Sequence, residues 1–211
     1  MIYKINGLSI DSKYAAKSEK QKGKILTSII KKIIFKNKYV LDYGCGLLRY
    51  TFEMAKISKS VFAVDSEEQI IRVKSNFKLL TKLSRYKNIK LYSINERFHR
   101  KNFDYIFLNN VLSSIPSIKE RKKILLRIKK FMGFNTKLII SNQYKNSFYS
   151  KNNKNSKKYL DGYLNNIKNK KANFYGLIDR ENILDLLSNS GIKVIDSIYF
   201  GETNITICEI E

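Results

Sequence analysis

Two short apolar runs, each ending in an aspartate and joined through a glycine turn, constrain this chain more than any other feature. The first reads Val40-Leu41-Asp42-Tyr43-Gly44-Cys45-Gly46 and opens into a helical stretch. The second, Val61-Phe62-Ala63-Val64, ends in Asp65, nineteen residues past Gly46. Strand, glycine turn, helix and acid-capped strand form the layout of a nucleotide-type cofactor site. Glycines let the backbone approach a ligand, and the acid accepts hydrogen bonds from ribose hydroxyls.

The rest of the chain extends this pattern. Apolar periodicity predicts a helix over 9–37, capped by Ser9 or Asp11. Strands are expected at 39–42, 60–65, 89–93, 103–109 and 137–141. Between them, helices are expected at 47–57, from a Ser66 cap to about Leu83, and from Ser117 to about Phe131, with Gly133 as a stop signal. Residues 142–175 break the rhythm, and one short helix is expected near 159–167. A helix over 179–189 follows, ended by Gly191. Strands at 193–199 and 204–209 lack a helix between them, so they should pair antiparallel. Alternating strands and helices predict an α/β, Rossmann-like fold: a mainly parallel seven-stranded sheet with helices on both faces and an antiparallel last strand. A chain of 211 residues fits a single domain over 1–211, with an N-terminal helical cap (1–38) and a basic, polar insertion (142–175) acting as a lid or substrate-binding segment.

Composition narrows the partners. The net charge is +23. Residues 142–175 carry eight basic residues and one acidic, whereas 176–211 carry two basic and seven acidic. Such a field favours an anionic partner, with nucleic acid first, against the alternative of a solvated basic surface. No apolar run approaches the ~20 residues of a membrane span, so no membrane partner is expected. Cys45 and Cys208 lie far apart, with no Cys-x-x-Cys spacing. They read as free thiols in a reducing compartment, and the absence of a signal-like N-terminus predicts a cytoplasmic location. One histidine and two cysteines predict no metal site.

With these motifs in place, the chain resembles the class I S-adenosylmethionine-dependent methyltransferases, whose first motif usually reads Asp-x-Gly-x-Gly-x-Gly. The resemblance covers about residues 39–141 well and 176–211 loosely. It implies S-adenosylmethionine as cofactor. Asp42 would order the turn or hold the cofactor's ammonium group. Gly44, Cys45 and Gly46 would pass beneath its methionine part. Asp65 would accept from both ribose hydroxyls, with Ser66 beside it. Ser93 or Asn95 would lie near the adenine amino group. Asn109 and Asn110 would face the sulfonium and the acceptor. Leu48 occupies the family's third glycine position, where a side chain narrows the turn.

The acceptor stays open. The chain reads Asn109-Asn110-Val111-Leu112 where enzymes acting on exocyclic base amines carry Asn/Asp-Pro-Pro-Tyr/Phe, and it has no Pro-Cys nucleophile. No catalytic residue is assigned. His99 is a lone loop histidine, Cys45 is explained by space between two glycines, and Tyr14 stands where the family places an aromatic over the cofactor. Tyr144, Phe148, Tyr149, Tyr159 and Tyr163, interleaved with lysines, offer base stacking, against the alternative of a lid anchored by its aromatics. Three readings remain: a methyltransferase with an anionic acceptor such as RNA, one with a small metabolite under a lid, and a catalytically inactive nucleic-acid-binding module. A nicotinamide enzyme is disfavoured, because Gly-x-Gly-x-x-Gly is absent (Arg49 stands at its last position).

Overall fold

Strands buried on both faces are continuously apolar, and that composition sets the centre of the molecule. In the computed structural model, which describes residues 2–12, 23–33, 36–97, 102–145 and 156–211, Tyr39–Tyr43 forms β3 and Ser60–Asp65 forms β4. Both are almost wholly buried. β3 pairs in parallel with β4 and with β6 (Phe103–Asn109), and β4 pairs in parallel with β5 (Ile89–Ser93). With β7 (Met132–Gln143), β11 (Ile192–Phe200) and β12 (Thr203–Ile210), these strands form a seven-stranded sheet ordered β11-β12-β7-β6-β3-β4-β5. The closing pair β11–β12 is antiparallel. All seven strands expected from the sequence are present.

The helices follow local signals. Ser117 caps α5 (Ile118–Lys129) by accepting from the Glu120 N–H at 3.3 Å. Asp179 and Asn182 form a reciprocal capping box at the start of α6 (Arg180–Leu187). The single helix expected up to Leu83 is two, α3 (Glu67–Lys74) and α4 (Phe77–Leu83), because Asn76 caps the second by accepting from the Leu79 N–H at 3.1 Å. The helix expected at 47–57 is α2, only Thr51–Ala55, since the glycine turn continues through residue 50. Gly133 does not end α5; it lies within β7.

Two expectations are overturned. Residues 9–37 are not one helix: α1 spans Lys24–Ile33, whereas Ile2–Ile5 and Leu8–Asp11 form the antiparallel hairpin β1–β2. Asn6 and Gly7 turn it with φ of 47° and 75°, the positive pair of a type I′ turn, and Asn-Gly is the favoured sequence for that turn. The 159–167 segment is not helical either. β8 (Lys157–Tyr159), β9 (Gly162–Lys168) and β10 (Lys171–Gly176) join the hairpin in a second sheet ordered β1-β2-β10-β9-β8. Residues of β10 alternate between exposed or half-buried and buried, the period of a strand with one covered face. Gly162 is required there, because a Cβ would stand 2.2 Å from the Tyr175 carbonyl oxygen.

The chain forms two compact units, one of residues 1–15, 110–130 and 139–211, the other of 16–109 and 131–138. In the first, the Arg121 guanidinium is 1% exposed and makes a two-pronged ion pair with Asp161 in the β8–β9 turn; its Nη2 donates to Oδ1 at 2.9 Å. Arg121 Nε also donates to the Ile115 carbonyl at 2.8 Å. Removing one partner of a buried pair leaves a charge without its counter-ion. Asp161→Ala should therefore lower unfolding free energy by about 3–5 kcal/mol, and Arg121→Met/Asp161→Leu should cost much less. Denaturant midpoints check both, and equal losses would contradict this account.

Candidate functional site

Chemistry-bearing residues of the second unit gather at the carboxyl ends of β3, β4, β5 and β6, where ligands bind in open parallel sheets. Asp42 closes β3. Its Oδ2 accepts from the Thr51 hydroxyl at 2.6 Å, and the residue is 2% exposed. Burial pushes its carboxyl up to about 7, the Thr51 hydrogen bond draws it back, and the charge of Asp65 raises it further. Asp42 thus ties the end of β3 to the first residue of α2 across the glycine turn.

The turn is laced to β4. The Gly44 and Cys45 N–H groups donate to the Val64 carbonyl at 2.7 and 3.1 Å. Gly44 and Gly46 have φ of 80° and 56°, the region that glycine enters without a Cβ penalty. The Gly46 N–H then donates to Asp65 Oδ2 at 2.7 Å, and the Ser66 N–H to Oδ1 at 2.7 Å. Each carboxylate oxygen keeps further acceptor capacity. Burial raises the Asp65 carboxyl, and these N–H donors draw it back down. Ser66 stands at the cap position of α3, but its side chain makes no cap hydrogen bond.

Leu48 also has a positive φ, 60°. Its side chain does not narrow the turn. It is 0% exposed and packs with Cys45, Phe52, Ala63, Ile70 and Val73. The glycine-like backbone is retained at a cost of roughly 1–2 kcal/mol, and core packing offsets it. Cys45 is 5% exposed; burial first, then Asp65 and Asp42, push its thiol well above its ordinary value, which suppresses the thiolate.

On β5, Ser93 is buried and its N–H donates to the Glu96 carboxylate. Asn95 is exposed on the following turn, and the Ile94 N–H donates to the Asp65 carbonyl at 2.8 Å. Asn109 is half-buried at the end of β6. In the first unit, Asn110 has φ of 57° and its N–H donates to the Ser141 carbonyl at 2.8 Å. Tyr144 packs edge-on against Tyr199 at 4.8 Å, and its hydroxyl donates to the Gly201 carbonyl at 3.0 Å. Tyr14, His99, Phe148 and Tyr149 lie outside the described residues. Sequence reasoning missed Thr51, the partner of Asp42, and Tyr50, whose hydroxyl accepts from the Gly23 N–H at 3.1 Å. Both directly follow Arg49 in the glycine-turn motif. Among the described residues, no group of three or more His, Cys, Asp or Glu is placed to hold a metal ion, and no helix is long and apolar enough to cross a membrane.

The methyltransferase domain family matches residues 34–191. The protein YmfD of Escherichia coli (strain K12) is 32% identical over 202 residues, 92% of this chain and 90% of its own length. Two solved structures share the fold. A Pyrococcus horikoshii OT3 protein is 17% identical, with a TM-score of 0.69 and 88% of each chain covered. The 1,6-didemethyltoxoflavin-N1-methyltransferase of Burkholderia thailandensis, with bound 1,6-didemethyltoxoflavin and S-adenosylhomocysteine, is 15% identical, with a TM-score of 0.64, covering 89% of this chain and 77% of its own.

Two outcomes follow from the geometry. Leu48→Gly should relieve backbone strain yet lower stability by about 2–4 kcal/mol, because the lost core side chain outweighs it; an unchanged denaturation midpoint would contradict this. A carboxyl whose folded pKa, about 7, exceeds its ordinary value of 3.8 favours the fold most when protonated. Stability should therefore fall as pH rises from about 4 to about 7 through this group, and Asp42→Asn should flatten that slope in denaturation measured across the interval.

Proposed function

The chain belongs to the methyltransferase domain family, and from that premise we propose that it is a class I S-adenosylmethionine-dependent enzyme, how its own residues hold the cofactor and what they methylate. The observation that carries the reading is the Asp65 carboxylate, fixed at the end of β4 by the Gly46 and Ser66 N–H groups. Its remaining lone pairs match two neighbouring ribose hydroxyls. Gly44 and Gly46, without side chains, let the turn lie against the methionine part. Cys45 keeps the turn small between them. Asp42 orients the turn through Thr51. Asn95 stands on the β5 turn for the adenine, and Asn109 ends β6 towards the transfer site.

When bound, S-adenosylmethionine supplies a methyl group on a positively charged sulfur, ready for in-line displacement. The residues need only hold donor and acceptor collinear and exclude water, a contribution that requires no acid–base pair. This fits a site whose ionisable groups, Asp42 and Asp65, are both engaged in holding the turn.

The acceptor we favour is anionic. The support is the net charge of +23 and the eight basic residues against one acidic in 142–175, the segment we read as acceptor-binding together with Asn110 and Tyr144. Two free, buried cysteines suit a reducing compartment such as the cytoplasm.

Calorimetric titration tests the cofactor assignment. S-adenosylmethionine should bind and NAD should not. Asp65→Ala should weaken the former by about 1–3 kcal/mol, the cost of a lost charged acceptor. Unchanged affinity would remove Asp65 from the site.

A further inference from the structure

The small sheet of the first unit has two unlike faces, and its register settles which residues share each. Ile10, Ala172, Phe174 and Leu164 alternate onto one face and are buried. Tyr159 belongs to that face, edge-on to Phe174 at 6.3 Å, so it is a packing residue. The residues between them belong to the opposite face. There Lys158 stands opposite Tyr163, and Tyr163 opposite Tyr175, in one row across three strands. Asn165, buried, and Asn173, partly exposed, make the next row. Lys171, Ser9 and Lys4 make a third. The three lysines are exposed and both tyrosines are partly exposed. Asp11 is the one acid on this face among the described residues.

Neighbouring residues in such rows stand about 5 Å apart, so the two rings are side by side on one surface. Aromatic rings on an open sheet stack on the faces of unpaired bases, and lysines at the margins meet phosphates. The partly exposed Asn173 amide between them offers both donors and an acceptor to base edges. A duplex hides its base faces, so this arrangement selects single strands. A lipid surface would ask for exposed aliphatic side chains, and among the described residues of this face Ile2 alone supplies one.

We propose that this face, with Tyr163 and Tyr175 as stacking platform and Lys4, Lys158 and Lys171 as phosphate contacts, binds single-stranded nucleic acid. Binding stands on the sheet register alone; only its meaning as the docking surface for the methyl acceptor rests on the proposed function.

The test is fluorescence anisotropy of the full chain with labelled oligouridylate and oligothymidylate of about twelve nucleotides. Wild type should bind at least one of them, tighter uridylate binding pointing to RNA and tighter thymidylate binding to DNA. Tyr163→Ala/Tyr175→Ala should weaken binding roughly ten-fold or more, while Tyr163→Phe/Tyr175→Phe should keep it. Lys158→Glu/Lys171→Glu, two exposed changes that test the face even if the alanine pair misfolds, should weaken binding and shallow its salt dependence. Absence of binding to both strands, or wild-type affinity in the folded alanine pair or in the lysine pair, would overturn the proposal. Equal losses towards heparin and oligonucleotide in the alanine pair would do so too, since heparin has no bases. S-adenosylmethionine calorimetry on the same proteins keeps a failure of the cofactor reading separate from a failure of this one.

Discussion

Two backbone N–H groups holding one carboxylate are the contact on which the candidate site depends. Asp65 accepts from Gly46 on one oxygen and from Ser66 on the other, both at 2.7 Å. The first bond joins the end of β4 to the glycine turn after β3, and the second joins it to the start of α3. Charge-assisted bonds of this kind are stronger than neutral ones, and they also hold an otherwise unfavourable buried carboxylate in place. The turn can reach Asp65 only because Gly44, Gly46 and Leu48 all take positive φ.

Leu48 shows how the chain departs from its family's pattern without losing the geometry. A side chain is tolerated in a left-handed backbone when its burial contributes more than the strain costs. Leu48 meets that condition by packing with Phe52, Ile70 and Val73. The departure therefore falls on the core, and the turn keeps the path that glycine would give it. Asp42 complements this arrangement from below: buried beside Thr51, it is better placed to order the turn than to meet a ligand at the surface.

Strands of the large sheet were legible because burial on both faces demands continuous apolar runs, and Val61–Val64 or Tyr105–Leu108 satisfy nothing else so well. The candidate cofactor residues were legible for a related reason: glycines and acids at strand ends have few other uses. The small sheet was not read, since its strands cover only one face and alternate Lys-Ala-Asn-Phe-Tyr, which dilutes any apolar signal. Its hairpin did announce itself in Asn6-Gly7, but a helical period running from residue 9 masked it. The tyrosines form one group in the sequence, and only register separates Tyr163, on the opposite face, from Tyr159, which packs inward. Arg121 carried no sequence signal, because its partner Asp161 lies forty residues away on a turn that was expected to be helical.

The most direct measurement is a crystal structure of the protein with S-adenosylhomocysteine. The account predicts both ribose hydroxyls on Asp65, the amino-acid part over Gly44–Gly46, and Leu48 still in the core. A ribose held away from Asp65, or a turn that must open to admit the ligand, would contradict it.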